Sequence, residues 1–303
     1  MEPVYIIGAG AIGKVLAVCL NNDGKKVVLL RGSVDNGETH RENIRVKLPS
    51  QEIIEAEVTI DTLSNYRSLE GLVVLCNKSY GNAALADILK DKIGCSPIVL
   101  LQNGLGVEQA FMNFPSVYRC VLFATSQPVS DTMLKFKPIA VSPIGRVRGG
   151  DETANNHIAC LLCTPYFGFR AEPDIQPIIW EKAIINCVFN SVCPLLETDN
   201  GIFHRNTQAL QIAESVVSEC LCVAQEQGVA LNLAEVMDSL LMISRSSDGQ
   251  FISTLQDIRN HRPTEIATLN LAISGMAATE QAFIQTRLLG RLTLLKSQLS
   301  SNY

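Results

Sequence analysis

Three glycines near the start of the chain, Gly8, Gly10 and Gly13, constrain its fold more than any other feature. They follow the apolar run PVYII and precede a helix-forming stretch that ends near Gly24, after which a second apolar run, KKVVLL, begins. A strand, a tight turn, a helix and a second strand in this order can hold a dinucleotide, because backbone N–H groups at the helix start face its pyrophosphate. Glycine at such a turn can also serve tight packing alone, so the prediction rests on the whole context. The predicted cofactor-binding loop comprises Gly8, Ala9, Gly10, Ala11, Ile12 and Gly13.

The pattern of apolar residues changes after about residue 175, which predicts two domains. Up to about residue 145, short apolar runs alternate with helical stretches, as in a parallel sheet covered on both faces. Beyond residue 175 the strand-like runs stop, and helices are predicted over 176–193, 206–228, 233–247 and 265–298. We therefore predict an α/β protein, with a Rossmann-type doubly wound sheet domain over residues 1–172 and an all-α domain over 173–303.

Composition excludes several classes of protein. The 303 residues fit two domains of about 100–200 residues each. Hydrophobic residues make up 47% and charged residues 18%, so the chain can bury a large core and is not disordered. A net charge of −5 argues against a nucleic-acid partner. Since no uninterrupted apolar stretch approaches the ~18 residues of a membrane span and the first residues do not form a secretory signal, we expect no membrane partner and a cytoplasmic location.

Ten cysteines are spread along the chain, most of them inside apolar segments. Cys160 and Cys163 form one Cys-x-x-Cys pair, but no second pair or cluster of histidines completes a metal site. We therefore predict reduced, mostly buried thiols and no bound metal.

The end of the second apolar run discriminates between the two nicotinamide cofactors. An NAD site places an acid there for the ribose 2′-hydroxyl, whereas an NADP site needs a cation for the 2′-phosphate. The chain has Arg31 at this position. The alternative is a solvated arginine at a strand end; we predict NADP(H) as the cofactor.

Lys78 and Asn103 each follow an apolar run, VVLC and IVLL respectively. In a doubly wound sheet the carboxyl ends of the strands line the ligand crevice, so both are candidate binding residues. A polar residue at a strand end can also simply start a turn, and for Asn103 followed by Gly104 that alternative is open.

Lys182, Asn186 and Asn190 recur every four residues in a stretch whose intervening residues 183–185 and 187–189 are all apolar. On a helix this spacing places the three side chains in one stripe, and burying such a stripe is costly unless each group has a partner. Two interpretations stay open. The stripe is either a satisfied polar seam between helices or a pocket wall with a general acid and two amides.

These motifs together resemble the ketopantoate reductase (2-dehydropantoate 2-reductase) family, from residue 3 to about 270. The resemblance is carried by GAGAIG at 8–13, Lys78, QNGLGVE at 102–108, WEKAIINCVFN at 180–190, Ser253, and RPTEI at 262–266. It implies an NADPH-dependent enzyme with a C-terminal domain like that of 6-phosphogluconate dehydrogenase. In the implied site Lys182 donates the proton, and Glu265 orients Lys182 and also contacts the cofactor. Lys78 and Asn103 position the nicotinamide ribose, and substrate contacts come from Asn103, Asn186, Asn190, Asn200 and Ser253.

The chain departs from the family pattern at residues 267–271 and again over 278–284, which bears on the packing of the last helix and on substrate detail. Three matched positions also have structural explanations. Ser253 begins the sequence of a capping box, Glu265 stands where an acid favours a helix start, and Asn200 with Gly201 forms a turn signal.

The expected activity is the reduction of 2-dehydropantoate to (R)-pantoate by NADPH, with a small oxo acid as the partner molecule. Two alternatives stay open: a related oxidoreductase acting on another 2-oxo or 3-hydroxy acid, and an NADPH-binding regulator without turnover. A homodimer is also left open.

Overall fold

The computed structural model describes residues 2–32, 34–277 and 284–301. It divides into two compact units. The first, the sheet unit, comprises Met1–Gln102 and Val107–Ile175, and the second, the helical unit, comprises Asn103–Gly106 and Gln176–Tyr303. The short segment 103–106 is thus grouped with the helices, although it begins only three residues after the end of a strand of the sheet unit.

The sheet unit contains one sheet of eleven described strands. Along the chain its elements are β1 (Val4–Ile7), α1 (Ala11–Asn22), β2 (Val27–Leu30), β3 (His40–Lys47), β4 (Ile53–Asp61), β5 (Leu72–Leu75), α2 (Asn82–Leu89), β6 (Ile98–Leu100), β7 (Val117–Cys120), β8 (Ala124–Ser130), β9 (Met133–Pro138), β10 (Ser142–Arg148), α3 (Glu152–Leu162) and β11 (Phe169–Glu172). The strand order is β11-β10-β7-β6-β5-β1-β2-β4-β3-β9-β8.

The centre of the sheet is parallel, as the apolar runs predict. β1 pairs in parallel with β2 on one side and with β5 on the other, and β6 and β7 continue the parallel series beyond β5. Every residue of β5 and β6 is buried, because helices and loops cover both faces of these strands. The predicted α/β class with a Rossmann-type sheet is confirmed.

Antiparallel hairpins replace some of the expected helical connections. Between β2 and β5 the chain forms the β3–β4 hairpin, and β8 and β9 form another at the edge of the sheet. The expectation that helical stretches separate all strands up to residue 145 is wrong here. Over β4, buried and exposed side chains alternate, which is the two-residue period of a strand with one face in solvent.

The helical unit contains α4 (Gln176–Leu196), α5 (Ile202–Arg205), α6 (Thr207–Glu226), α7 (Leu233–Ser246), α8 (Ser253–Arg259), α9 (Asn270–Met276) and α10 (Ile284–Ser301). The prediction of one continuous helix over 265–298 is wrong, because the backbone leaves the helical conformation at Leu269 and again at Ala277. The divergent segment at 278–284 lies outside the described residues except for Ile284.

α4 is the central helix of this unit. By length and apolar composition it is the one helix of the described chain that could also span a membrane, but 72% of its most apolar window is buried within the protein. A core helix of a folded domain gives the same composition, so this burial accounts for its apolar sequence.

None of the ten cysteines, all of which lie within the described residues, forms a disulfide bond. The buried ones are Cys19, Cys120, Cys187, Cys193 and Cys220, and the exposed ones are Cys95, Cys160 and Cys222. Burial raises the pKa of the Cys19 and Cys193 thiols to about 12, so both stay protonated at neutral pH.

Candidate functional site

The three loop glycines have different surroundings. Gly8 has φ +120°, and a Cβ there would lie 2.5 Å from the backbone N of Asn77. A Cβ at Gly13 would lie 2.0 Å from the Gly8 carbonyl oxygen, so Gly13 allows α1 to pack on the loop. A Cβ at Gly10 would meet nothing within 4 Å. Gly10 therefore borders open space at the start of α1, where the helix has no side-chain cap and no acid in its first turn. This arrangement suits a bound anion.

Arg31 follows β2 directly and is held on one side by the loop after it. Its backbone N–H donates to the Asp61 carbonyl at 2.9 Å, while Nη2 donates to Asn36 Oδ1 at 3.1 Å and to the Glu38 carbonyl. Nη1 lies 3.8 Å from the exposed Glu38 carboxylate. Nε is buried and has no hydrogen-bond partner among the described residues. A buried guanidinium N–H without a partner is costly unless a ligand completes it.

Lys78 lies at the carboxyl end of β5, half-buried, where it precedes a short 3₁₀ turn (Ser79–Gly81). Behind it is a buried network of amides that the sequence analysis does not identify. Asn82 and Gln102 exchange two hydrogen bonds of 2.8 Å, and Gln102 Nε2 also donates to the Asn77 carbonyl at 2.9 Å. The signal for this network in the sequence is Gln102, a polar residue that follows the apolar run IVLL. This network fixes the ends of β5 and β6 beside the glycine loop.

The segment that carries Asn103 packs within the helical unit. Gly104 has φ +95°, and a Cβ there would lie 2.4 Å from Thr268 Oγ1. Leu105 donates its N–H to the Thr268 carbonyl at 2.8 Å, and Thr268 Oγ1 donates to the Glu265 carbonyl at 3.0 Å. Half-buried Asn103 is therefore tied through its neighbours to the turn that begins at Glu265, a connection that spans more than 160 positions of sequence.

The stripe on α4 runs from half-buried to buried. Lys182 and Asn186 are half-buried, whereas Asn190 is 4% exposed. Asn190 Nδ2 donates to the Asn186 carbonyl at 3.1 Å. Its Oδ1 accepts from Thr254 Oγ1 at 2.7 Å and from Ser253 Oγ at 3.5 Å. At its buried end the stripe is thus a polar seam between α4 and α8, and the sequence analysis missed Thr254, the stronger partner.

Ser253 lies beside Asn190, as its grouping with the substrate residues requires. The capping-box interpretation is wrong, because Ser253 is the first residue within α8 and the N-cap position is Ile252, which makes no side-chain cap. Gln256, the other half of the supposed box, donates instead to the Phe251 carbonyl at 2.7 Å. Glu265 does precede a short 3₁₀ turn (Ile266–Thr268), as an acid at a helix start would.

Asn200 occupies a buried turn between α4 and α5. Its N–H donates to the Gln250 carbonyl at 2.9 Å, and its own carbonyl accepts from Ser244 Oγ at 2.7 Å. The side-chain Oδ1 is buried without a hydrogen-bond partner among the described residues. The turn interpretation is correct for the backbone, but an unsatisfied buried amide oxygen also fits a ligand contact.

Two family models account for most of the chain. A model described as ketopantoate reductase PanE/ApbA matches residues 4–133, and its C-terminal counterpart matches residues 174–292. The chain belongs to the ketopantoate reductase family. The two matched ranges contain every residue that the sequence analysis places in the site.

Relatives of this family member match along nearly the whole chain. The 2-dehydropantoate 2-reductase of Streptococcus pyogenes serotype M1 is 26% identical over 289 residues, covering 89% of this chain and 90% of the relative. That of Pyrococcus abyssi is 25% identical over 268 residues, covering 88% of each.

Solved structures share the fold of this ketopantoate reductase family member. A dimeric ketopantoate reductase from Staphylococcus aureus superposes with a TM-score of 0.81 at 18% identity, covering 98% of this chain and 99% of that one. A D-mandelate dehydrogenase in a ternary structure with NADH and anilino(oxo)acetate gives 0.84 at 21% identity with the same coverage.

Proposed function

We propose that the protein is a 2-dehydropantoate 2-reductase that uses NADPH to reduce the 2-oxo group of its substrate to (R)-pantoate. The observation that carries this proposal is the stripe of Lys182, Asn186 and Asn190 on an otherwise apolar helix, in a chain that also has a dinucleotide-type glycine loop. The names of the relatives from Streptococcus pyogenes and Pyrococcus abyssi support the same reaction.

The sheet unit fits a bound dinucleotide. Open space beside Gly10 leaves room for a pyrophosphate at the start of α1. The partly exposed Arg31 side chain, whose Nε lacks a hydrogen-bond partner among the described residues, supports a contact with an anion such as a 2′-phosphate. In the proposed site the loop Gly8–Gly13, Arg31, Lys78 and Asn103 hold the cofactor, with Glu265 near its nicotinamide end. When bound, NADPH supplies the hydride.

Lys182 is the proposed general acid. As the 2-oxo carbon is reduced, negative charge develops on the carbonyl oxygen, so an ammonium group placed beside it stabilises the transition state and then donates its proton. Glu265 is the proposed orienting group for Lys182. Asn186, Asn190, Asn200, Asn103 and Ser253 are the proposed contacts for the substrate hydroxyl and carboxylate.

A related oxidoreductase acting on another 2-oxo or 3-hydroxy acid is the second candidate. It is favoured by the likeness in fold to D-mandelate dehydrogenase, which was solved with NADH and anilino(oxo)acetate, and by the departure from the family pattern at 267–271. A non-catalytic NADPH-binding regulator is the third, and the lysine–amide stripe argues against it because a regulator has no need of a proton donor.

One assay tests all three functions. Purified protein is mixed with NADPH and ketopantoate, and the nicotinamide absorbance is followed, with a panel of other 2-oxo acids and 3-hydroxy acids with NADP⁺ in parallel. We expect NADPH to be oxidised with ketopantoate and with none of the other acids. Turnover only with another acid would favour the second candidate, and NADPH binding without turnover on any acid would favour the regulator.

We also propose that the protein is a homodimer in the cytoplasm. The structural relative from Staphylococcus aureus is dimeric. In this chain α10 leaves a stripe of large apolar side chains 42–65% exposed, which we call the α10 stripe: Ile284, Leu288, Leu292, Leu295 and Leu299. Apolar side chains at helical spacing on a surface fit burial against a second copy.

A further inference from the structure

Asp61 is a buried carboxylate at the carboxyl end of β4 that the proposed chemistry does not use. It is 7% exposed, and its two oxygens accept four hydrogen bonds. The donors are Thr39 Oγ1 at 2.7 Å, the Thr62 N–H at 2.8 Å, Asn65 Nδ2 at 2.6 Å and the Tyr66 hydroxyl at 2.9 Å. Burial alone would raise the pKa of this carboxyl, but the four hydrogen bonds outweigh it and hold the pKa below its usual 3.8. Asp61 is therefore a charged anchor at neutral pH.

The anchored partner is the loop 35–39, which we call the Arg31 loop. Besides the bond from Thr39 to Asp61, Asn65 Nδ2 donates to the Gly37 carbonyl at 3.1 Å and to Thr39 Oγ1 at 3.1 Å. At the start of the loop, Asp35 Oδ1 accepts from the Ser64 N–H at 2.8 Å. The Arg31 loop is thus attached at both ends to the segment that begins with Asp61.

The Arg31 loop in turn holds the Arg31 side chain. Both acceptors of Nη2, the Asn36 side chain and the Glu38 carbonyl, belong to this loop. An arginine side chain loses considerable rotamer entropy when it is fixed. A loop that fixes one edge of the guanidinium in advance lowers the cost of presenting the remaining N–H groups to an anion.

We propose that Asp61 is a positioning residue for Arg31, and that by fixing the Arg31 loop it sets the preference of the site for NADPH over NADH. This inference rests on the proposed function, in which Arg31 contacts the 2′-phosphate. Asp61 itself touches neither the cofactor nor the substrate in this proposal. It acts through Thr39, Asn65 and the Arg31 loop.

The test measures the binding of NADPH and of NADH separately by titration calorimetry, with no turnover required. Asp61→Ala removes the anchor. The double variant Thr39→Val with Asn65→Ala releases Gly37 and Thr39 of the Arg31 loop, while Asp61 and the bond between Asp35 and Ser64 stay in place. Tyr66→Phe is the matched control, because it removes one hydrogen bond to Asp61, and within the described part of the chain the Tyr66 hydroxyl makes no hydrogen bond to the Arg31 loop. Arg31→Ala reports on the phosphate contact itself.

We expect Asp61→Ala and the double variant to weaken NADPH binding by roughly tenfold, as for the loss of one charge-assisted hydrogen bond, and to change NADH binding less than twofold. Tyr66→Phe should keep the wild-type ratio of the two affinities. If Asp61→Ala does not fold, the double variant decides the question alone. An unchanged affinity ratio in the double variant, or an equal shift in Tyr66→Phe, would overturn the proposal.

The same measurements distinguish an error in the proposed function from an error in the positioning role of Asp61. If the wild-type protein binds neither nucleotide, or if Arg31→Ala binds NADPH as tightly as the wild type does, the NADPH assignment itself is wrong. If Arg31→Ala loses NADPH and the Asp61 and double variants do not, only the positioning role is wrong.

Discussion

At the scale of single residues, two lysines compete for the role of proton donor, and they lie in different units of the chain. Lys182 lies on α4, half-buried beside apolar residues, and Lys78 follows β5 near the glycine loop. The proposed function gives Lys182 the proton and Lys78 the cofactor. Replacing each in turn by methionine keeps most of the side-chain volume and removes only the charge.

We predict that Lys182→Met lowers kcat by at least roughly 10²-fold, because a positioned general acid contributes about that much and charge stabilisation adds to it. NADPH affinity should stay near the wild-type value in this variant, and the pH profile of kcat should lose the limb that requires a protonated lysine. Lys78→Met should mainly weaken NADPH binding. Steady-state kinetics together with direct NADPH titration check both variants, and an exchange of the two phenotypes would show that Lys78 is the donor.

The sequence predicted the neighbours of a residue where a regular spacing or a local motif linked residues close together in the chain. The four-residue spacing predicted that Asn186 and Asn190 share one stripe, and the hydrogen bond from Asn190 Nδ2 to the Asn186 carbonyl fits that. The same reasoning could not find Thr254 or Asp61, because their partners lie on other elements. Contacts between residues far apart in the sequence depend on the tertiary fold, so the spacing of neighbouring residues cannot predict them.

At the scale of elements, the turn from β1 into α1 contains two glycines with different surroundings, for which we propose a binding role at Gly10 and a packing role at Gly13. Gly10 faces open space with ordinary backbone angles, whereas a Cβ at Gly13 would collide with the Gly8 carbonyl oxygen. The sequence motif contains glycine at both positions, and the structure shows that only Gly13 is closely packed.

Gly10→Ala should leave the melting temperature within about 2 °C of the wild type while weakening NADPH binding by at least roughly tenfold, because its methyl group would occupy the space of the bound pyrophosphate. Gly13→Ala should lower the melting temperature itself, since α1 would have to move off the loop. Differential scanning calorimetry and nucleotide titration on the same samples check this. A loss of stability in Gly10→Ala equal to that in Gly13→Ala would contradict the division of roles.

The turn at Gly104 is a second place where the structure shows why glycine is needed. A left-handed backbone and a close contact with Thr268 coincide there, whereas Gly228, at the end of α6, has a similar positive φ of +79° with nothing within 4 Å of a Cβ. Gly228→Ala is therefore a matched control that adds backbone strain alone.

We predict that Gly228→Ala costs about 1 kcal/mol of unfolding free energy and that Gly104→Ala costs roughly 2–4 kcal/mol, because steric overlap adds to the strain. Urea unfolding of both variants provides the comparison. Equal losses would mean that the Gly104 segment shifts freely away from Thr268.

Helices and strands were predicted well where the apolar residues formed a continuous run or a regular repeat. They were predicted poorly where charged and apolar residues alternated or where an apolar stretch contained a break. α1, β1, β2, β5 and β6 begin and end within a few residues of the apolar runs that predicted them. The β3–β4 hairpin was missed because its alternating charged and apolar residues, such as RENIRVK, do not form a continuous apolar run. The break at Leu269 was missed because residues 266–276 are apolar enough to continue a helix by composition alone.

At the scale of the whole molecule, the α10 stripe bears on assembly. The proposed homodimer would bury these apolar side chains against the same helix or another face of a second copy, and an acidic side chain placed among them would prevent that burial. Met242 on α7 is 63% exposed and provides a control surface away from the stripe.

Leu295→Glu should convert a dimer into a monomer, whereas Met242→Glu should leave the dimer intact. Both residues are at least half exposed in the single chain, so neither change should unfold it. Size-exclusion chromatography with light scattering gives the masses directly. A monomeric wild type, or a Leu295→Glu variant that stays dimeric, would remove the α10 stripe from the interface.

Because the cysteines are not joined in disulfide bonds, alkylation of their thiols can report where the protein opens locally. Cys19 and Cys120 lie inside the sheet unit, and Cys187, Cys193 and Cys220 lie inside the helical unit, so alkylation of either set requires that its unit open. The exposed Cys95, Cys160 and Cys222 would be alkylated at once and serve as internal calibration. Mass spectrometry of peptides from a timed labelling reaction would then show which unit opens first, and whether NADPH slows the opening of the sheet unit alone.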